Sequence, residues 1–288
     1  MKIVSYNIQF GRGLDGVIDL VRVCAAIRGA DIACLQEVDQ WWQRSGDCDQ
    51  AAEIGGLLPT YYYAFGSSFD VDASSRAAHS AVVNRRRRHG NLILSRWPIL
   101  SMRCLHLPKW HYEDRFNMQM SCVEAVVDAG GHALRIYNCH AGYLDAGERQ
   151  MQFDYLARAI AAAPGERGAW SGRADIDDDD WSNGRQAPPM PAGALVCGDF
   201  NATPDSAELR QLLTATGLVD CWSLADTENR ESSTLRKGTS RDIDIAGKVD
   251  HILVTQELAG SVEAAAIDQQ ADGSDHKPVT AVLALPSE

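Results

Sequence analysis

The sequence predicts an α/β fold, on three observations. Apolar, strand-like runs alternate with segments of helical period. The first forty residues read strand, helix, strand. Polar residues stand at the ends of several strand-like runs, where burial alone would place apolar ones.

Lys2 to Phe10 is the first predicted strand, with Ile3, Tyr6, Ile8 and Phe10 as β-formers and Asn7 in its middle. Gly11-Arg12-Gly13 breaks it. Residues 16–28 repeat apolar positions at helical spacing, with Val17, Leu20, Val21, Cys24 and Ile27 on one side and Gly29 as the stop. Asp31 to Val38 is the next strand, apolar until Gln36-Glu37. This unit predicts a right-handed crossover. Residues 45–55 are predicted helical, and Tyr61 to Phe65 extended. Residues 66–89 read as a polar loop. Its run Arg85 to Arg88 is either a solvated surface or a basic edge that meets an anionic substrate.

Gly90 to Ser95 is a strand that Trp97-Pro98 ends. Met118 to Asp128 and Ala133 to His140 are two strands joined at Gly130-Gly131. Glu148 to Ala163 carries Met151, Tyr155, Leu156, Ala159 and Ile160 at helical spacing. Glu148, Arg149 and Gln152 on that helix are read as structural. Residues 164–193 differ in composition: five of the six residues 175–180 are Asp, and Pro188, Pro189 and Pro191 follow. This is expected to be a mobile acidic insertion within one domain covering 1–288. Ala194 to Asp199 is a strand, residues 205–216 a helix, and Lys248 to Val254 and Val279 to Leu285 the last strands.

Composition narrows the function. The 288 residues are 45% hydrophobic, enough for a sizeable core. With 27 Lys+Arg against 39 Asp+Glu the net charge is −12, which disfavours a passive nucleic-acid coat. It leaves room for an enzyme that meets phosphate through a metal ion. No run approaches the roughly 18 apolar residues of a membrane span, so no stable membrane insertion is expected. The N-terminus enters a strand pattern without an apolar leader. None of the eight cysteines forms a Cys-x-x-Cys pair, and Cys34, Cys122, Cys139 and Cys197 sit in apolar runs. They are read as reduced core residues of a cytoplasmic protein.

The chemistry concentrates in Gly198-Asp199-Phe200-Asn201. Asp199 and Asn201 share one side of an extended backbone, and Gly198 admits a close approach. An Asx turn that bonds only its own backbone would explain this stretch alone. Similar single explanations exist for Asn7, Glu37, His140, Asp250, Asp275 and His276. Their recurrence at strand ends points instead to one cluster of carboxylates, amides and histidines, the set that metal-assisted phosphoester hydrolysis needs.

Seven pieces then carry a resemblance: Ser5-Tyr6-Asn7, Leu35-Gln36-Glu37-Val38, Gly90-Asn91 through Ser95-Arg96, Asn138-Cys139-His140, Gly198-Asp199-Phe200-Asn201, Val249-Asp250-His251-Ile252 and Ser274-Asp275-His276-Lys277-Pro278. In this order they resemble the endonuclease/exonuclease/phosphatase superfamily, which is DNase I-like. The resemblance implies a four-layer αββα sandwich of two mixed sheets. It also implies Glu37, Asn7 and Asp275 as ligands of Mg²⁺ or Mn²⁺, and His276 as general base oriented by Asp250. Asp199 and Asn201 would then position the water, and His140 would serve as the second catalytic histidine. Arg115 resembles an arginine near the family's phosphate site. Gln9 stands where the abasic-site branch carries an acidic residue, and His140 where that branch carries tyrosine. The resemblance is therefore closer to the branches with a histidine there.

The implied activity is a metal-dependent phosphoric ester hydrolase cutting phosphodiester bonds, first as a nuclease on DNA or RNA. The alternatives are a phosphodiesterase or phosphatase for a small-molecule or sphingomyelin-like lipid ester, and a non-enzymatic binding protein on the same fold. The lipid reading would use Trp41-Trp42 and Trp110 as a membrane-touching surface. Burial of these rings is the competing reading.

Overall fold

The computed structural model describes residues 1–78, 80–172, 184–225, 233–235 and 247–284. In chain order the elements are β1 (Lys2–Asn7), α1 (Leu20–Ile27), β2 (Ile32–Gln40), α2 (Gln50–Leu57), β3 (Tyr62–Asp72), β4 (Arg86–Ser95), β5 (Ile99–His106), β6 (Ser121–Ala129), β7 (His132–His140), α3 (Ala146–Glu166), β8 (Ala194–Asp199), α4 (Ala207–Thr216), β9 (Val219–Asp220), α5 (Cys221–Leu224), β10 (Asp250–Val254), α6 (Gln256–Ala259), β11 (Val262–Ile267) and β12 (Val279–Leu283).

They form two six-stranded mixed sheets, ordered β11-β12-β1-β2-β4-β3 and β5-β6-β7-β8-β10-β9. Each sheet has one parallel pair, β1 with β2 and β7 with β8, each spanned by a crossover containing a helix, α1 or α3. Alternation along the strands splits the apolar residues between two faces. Ile3, Ile32, Cys34 and Ile93 meet Val123, Ile136, Leu195 and Ile252 between the sheets. Tyr6, Ala33 and Leu35 pack outward on Val23, Ile27 and Ile54 of α1 and α2. Tyr137, Cys139 and Val196 pack outward on Phe153, Leu156 and Leu209 of α3 and α4. The result is the expected helix–sheet–sheet–helix sandwich.

Buried amides tie the two sheets together near one end. Gln36 Nε2 on β2 donates to Asn138 Oδ1 on β7 at 2.7 Å, and Asn138 Nδ2 donates back to the carbonyls of Leu35 and Leu92 at 3.0 Å. Asn91 Nδ2 on β4 reaches the carbonyls of Ser121 and Asn138. Satisfied polar groups in a dry layer fix one register between the sheets, because a shifted register would leave them unpaired.

Several elements differ from the sequence-based expectation. The first helix begins at Leu20 rather than Gly16, because Asp19 caps it by accepting from the Arg22 N–H. Val17 and Val21 are consequently exposed, and Val23 joins Leu20, Cys24 and Ile27 in the core. The second helix starts at Gln50 behind an Asp49 cap. Residues 66–72 and 86–89 are not loop but the outer β3–β4 hairpin. There Arg86 and Arg88 both pair with Asp70, Arg85 pairs with Asp47, and Arg87 donates to the Trp41 carbonyl. The edge strands β5 and β11 lacked a legible alternation. Of the predicted insertion, residues 164–166 finish α3, and Met190 packs on Val126 and Ala163. Ala192 accepts from the buried Arg135. The acidic run itself lies outside the described residues.

Gly198 shows how closely β7 and β8 approach. Its φ is +148°, and a Cβ there would stand 1.8 Å from the Cys139 carbonyl oxygen. Gly198→Ala is expected to cost at least about 2 kcal/mol, read as a lower urea midpoint. A variant with the wild-type midpoint would contradict this packing.

Candidate active site

The carboxyl ends of both parallel pairs lie at one edge of the sandwich. Asn7 ends β1, His140 ends β7 and Asp199 ends β8, with His140 and Asp199 in register. Asp250 begins antiparallel β10 directly opposite Asp199, and Val279 of β12 pairs with Ser5, so Asp275 and His276 enter at the same edge. Ligands in α/β sheets bind at such carboxyl ends.

Glu37 reaches this edge through a backbone irregularity. The β2–β4 register shifts between Leu35 and Val38, and Glu37 adopts φ +59°. A bulge re-aims a side chain that regular pleating would send elsewhere, at a cost the surrounding sheet must offset. Asn201, at φ +48°, is a second strained residue, held by its N–H to Asp199 Oδ1 and its amide to the Ala141 carbonyl.

Asp199 is the hub. Its Oδ2 accepts from Asn7 Nδ2 at 2.9 Å and lies 3.5 Å from His140 Nε2 and 3.7 Å from His276 Nε2. Asn7 Nδ2 also donates to Glu37 Oε1 at 3.1 Å. His276 Nδ1 pairs with Asp250 Oδ2 at 2.9 Å. Asp275 Oδ2 accepts from Gln9 Nε2 at 2.9 Å. All except Glu37 and Gln9 are buried. The sequence-predicted residues Asn7, Glu37, His140, Asp199, Asn201, Asp250, Asp275 and His276 therefore form one connected group. Arg115 is the exception. It is exposed on the loop between β5 and β6, paired with Asp114 at 2.7 Å. That loop opens at the His140 edge, since Ser121 of β6 stands opposite His140.

The electrostatics are those of crowded carboxylates. Burial and the nearby Asp199 charge push the Asp250 carboxyl up. Burial and Glu37 push Asp275 up. Burial alone would lower His276, but Asp250 and Asp199 outweigh it and raise the imidazole to about 10. A cation is thus favoured here. Among the described residues, the ligand-type atoms of Asp199, Asp250 and His276 all lie within 4.8 Å of one another. Among the described residues, none forms a hydrogen bond with the buried Asp250 Oδ1.

Supporting residues escaped the sequence reading. Thr234 Oγ1 accepts from the N–H groups of Val249 and Asp250, and Ser274 Oγ accepts from the His276 N–H. Behind Asn201, His251 Nε2 donates to the Ala202 carbonyl at 2.9 Å, while its Nδ1 meets Asp220 and Lys248. Burial disfavours the Asp220 carboxylate, yet His251 and Lys248 hold it well below the usual range. Of these, Ser274 and His251 lay in legible motifs, Ser-Asp-His and Val-Asp-His-Ile. Glu148, read as structural, accepts from Trp110 N, Tyr112 OH and Asn117 Nδ2, and so shapes the loop beside His140. Gln152 does the same from Gly142 N.

Fold and site together define a class, an αββα sandwich with an acidic, histidine-containing cluster at one sheet edge. The profile of the Endonuclease/Exonuclease/phosphatase family matches residues 4–276, and the chain belongs to that family. No curated protein matches the chain by sequence. The structure is similar to that of an endonuclease/exonuclease/phosphatase from Beutenbergia cavernae DSM 12333, with TM-score 0.68 at 17% identity over 100% of this chain and 72% of that one. It is similar to a mannosyl-6-phosphatase from Bacteroides thetaiotaomicron VPI-5482, with TM-score 0.66 at 15% identity over 99% and 100%. It is similar to an AP endonuclease from Archaeoglobus fulgidus, with TM-score 0.57 at 18% identity over 99% and 100%. At these identities the likeness is one of fold. No helix among the described residues is long and apolar enough to cross a membrane.

The raised His276 gives a pH expectation. A folded pKa of about 10 against the ordinary histidine value of 6.5 means the proton favours the folded state. That stability is fully present below about 6.5 and is lost as pH rises through about 10. In divalent-free buffer the thermal midpoint should fall across this window, and His276→Gln should flatten the dependence. A wild-type midpoint that does not move there would contradict a buried imidazolium.

Proposed function

We propose that the chain is a divalent-metal-dependent phosphoesterase that hydrolyses phosphodiester bonds, with nucleic acid as the first substrate class. One observation carries this reading: Asp199 Oδ2 stands between His140, His276 and the Asn7–Glu37 pair within hydrogen-bond or near hydrogen-bond distance. This convergence gives a proton acceptor, two proton carriers and a flanking oxygen-donor set around one small volume.

The donor set fits a hard cation. Glu37 and Asp275 are carboxylates near enough for one to raise the other, and Asn7 adds an amide beside them. Mg²⁺ or Mn²⁺ prefers such oxygens. Bound there, the ion would polarise the phosphoryl oxygen and stabilise the leaving oxygen. Asp250 holds His276 by Nδ1 and leaves Nε2 facing Asp199; a divalent ion bound beside it would offset the carboxylate charge that keeps the ring protonated, and Nε2 would then take the proton of the attacking water. Asp199, fixed by Asn7 and the Asn201 N–H, orients that water. His140, whose Nε2 lies 3.5 Å from the same Asp199 oxygen, donates to the phosphate or the leaving oxygen. Arg115 is assigned to the substrate phosphate, reaching it after release from Asp114.

Free cysteines throughout fit a reducing compartment, and we place the protein in the cytoplasm. A small-molecule phosphoester is the second reading, favoured by the net charge of −12 and by the fold likeness to a mannosyl-6-phosphatase.

The test is a panel of plasmid, single-stranded DNA, RNA, bis-p-nitrophenyl phosphate, p-nitrophenyl phosphate and sphingomyelin, each with Mg²⁺, Mn²⁺ or EDTA. Cleavage should require the metal, and His276→Ala should lower kcat by about 10²–10⁴-fold. Normal turnover by His276→Ala would sink the assignment.

A further inference from the structure

Five planar groups stand in one row beside the site. The Arg44 guanidinium lies 4.5 Å over the Phe10 ring and 4.9 Å over Trp42. Trp42 stacks on Phe69 at 5.9 Å with planes 19° apart, and Phe69 meets Phe116 edge-to-face at 6.3 Å. These residues come from four separate places: the tail of β1, the turn after β2, the middle of β3 and the β5–β6 loop. None of the five is buried, and Phe116 is 66% exposed.

The row is continuous with the site at both ends. Phe10 follows Gln9, whose amide holds Asp275, and Arg44 lies within electrostatic reach of Glu37. At the other end the Phe116 carbonyl accepts from Tyr143 OH, three residues beyond His140. Ser68, next to Phe69, shares a hydrogen bond of 2.7 Å with Ser121, the residue opposite His140. Ser68 and Ser121 therefore join β3, which carries Phe69, across the sandwich to the strand paired with the one that ends at His140.

The chemistry of the row selects its ligand. Asp39 takes the Arg44 guanidinium through two hydrogen bonds of 2.9 and 3.0 Å, so the row carries little net charge, and with Trp42 lying between Arg44 and Phe69 the ring most open to a ligand is Phe116. That suits a planar ring better than a second phosphate. An acyl chain would want a contiguous apolar protrusion. Here Phe116 and Trp110 are exposed on one loop, but Lys109, Glu113, Asp114 and Arg115 interrupt them. A base inside a duplex has its faces covered by its neighbours.

We infer that the Phe10–Arg44–Trp42–Phe69–Phe116 row is a stacking subsite for an unpaired nucleobase beside the scissile phosphate, making single-stranded or locally opened nucleic acid the substrate. The inference rests on the phosphodiesterase reading of the site. Removing one base-stacking aromatic typically weakens binding by about fivefold to a hundredfold.

The experiment compares two labelled strands by fluorescence anisotropy, on His276→Ala protein with Mg²⁺ so that strands are held and not cut. One is oligothymidylate of about twelve nucleotides, and the other an abasic strand of equal length. The base-bearing strand should bind about tenfold tighter, and Phe116→Ala should remove most of that difference. Phe69→Leu should narrow it as well. Equal binding of the two strands, no binding of either, or a difference that survives both substitutions would overturn the subsite. Capture by sphingomyelin vesicles through Phe116 would overturn it in favour of a lipid surface. Failure of the phosphodiesterase reading would appear separately, as absence of metal-dependent cleavage by the wild type.

Discussion

The hydrogen bond from Asn7 Nδ2 to Asp199 Oδ2, 2.9 Å long, joins the last residue of a strand in one sheet to the last residue of a strand in the other. Much of the molecule's order serves that meeting. The two sheets must stack so that the carboxyl ends of β1 and β8 coincide at one edge. The buried Gln36–Asn138 and Asn91 contacts hold that register a few residues below, where a slip would strand amides in an apolar layer. Glu37 then reaches Asn7 only because β2 bulges, and Asn201 reaches Asp199 only because its backbone is left-handed. Strain here sits where the site is built and is offset by the well-packed strands behind it.

The same meeting concentrates negative charge. Glu37 from the bulge in β2, Asp199 and Asp250 from the ends of β8 and β10, and Asp275 from the loop before β12 are brought together by folding with little water to screen them. The protein balances part of this through His276, whose proton is retained far above its ordinary range. Asn7 and Gln9 donate to three of the four carboxylates without adding charge. What remains is an attraction for a cation in a place that also faces two histidines. Charge balance and proposed chemistry thus have one origin.

Much of this was legible in the sequence because strand ends announce themselves when a polar residue interrupts an apolar run. Asn7, Glu37, His140, Asp199 and Asp250 each did so. What could not be read depends on pairing across the sheets. The bulge at Glu37 is set by β4, and the roles of Gln36 and Asn138 exist only once the sheets stack. Thr234 supports Asp250 from a stretch with no pattern of its own. Asp220, Lys248 and His251 meet across a gap of about thirty residues in sequence, and nothing local marks them as a unit. The Arg85–Arg88 run was misread as loop because its charges masked strand alternation. In the sandwich each of those charges finds a carboxylate or a carbonyl on β3 or the turn after β2. Of the tryptophans read as either buried or membrane-facing, Trp41 and Trp42 are half-buried, Trp42 within a ring stack, and Trp110 is 40% exposed over the helix that carries Glu148.

The central claim is that these carboxylates are arranged for a divalent ion, and metal binding itself tests it most directly. Mn²⁺ titrated into wild-type protein and Glu37→Gln, followed by water-proton relaxation, separates binding from turnover. Saturable binding to the wild type is expected, weakened at least about tenfold by the loss of that one carboxylate. Wild-type protein that binds no Mn²⁺ saturably, or a Glu37→Gln variant with undiminished affinity, would contradict it.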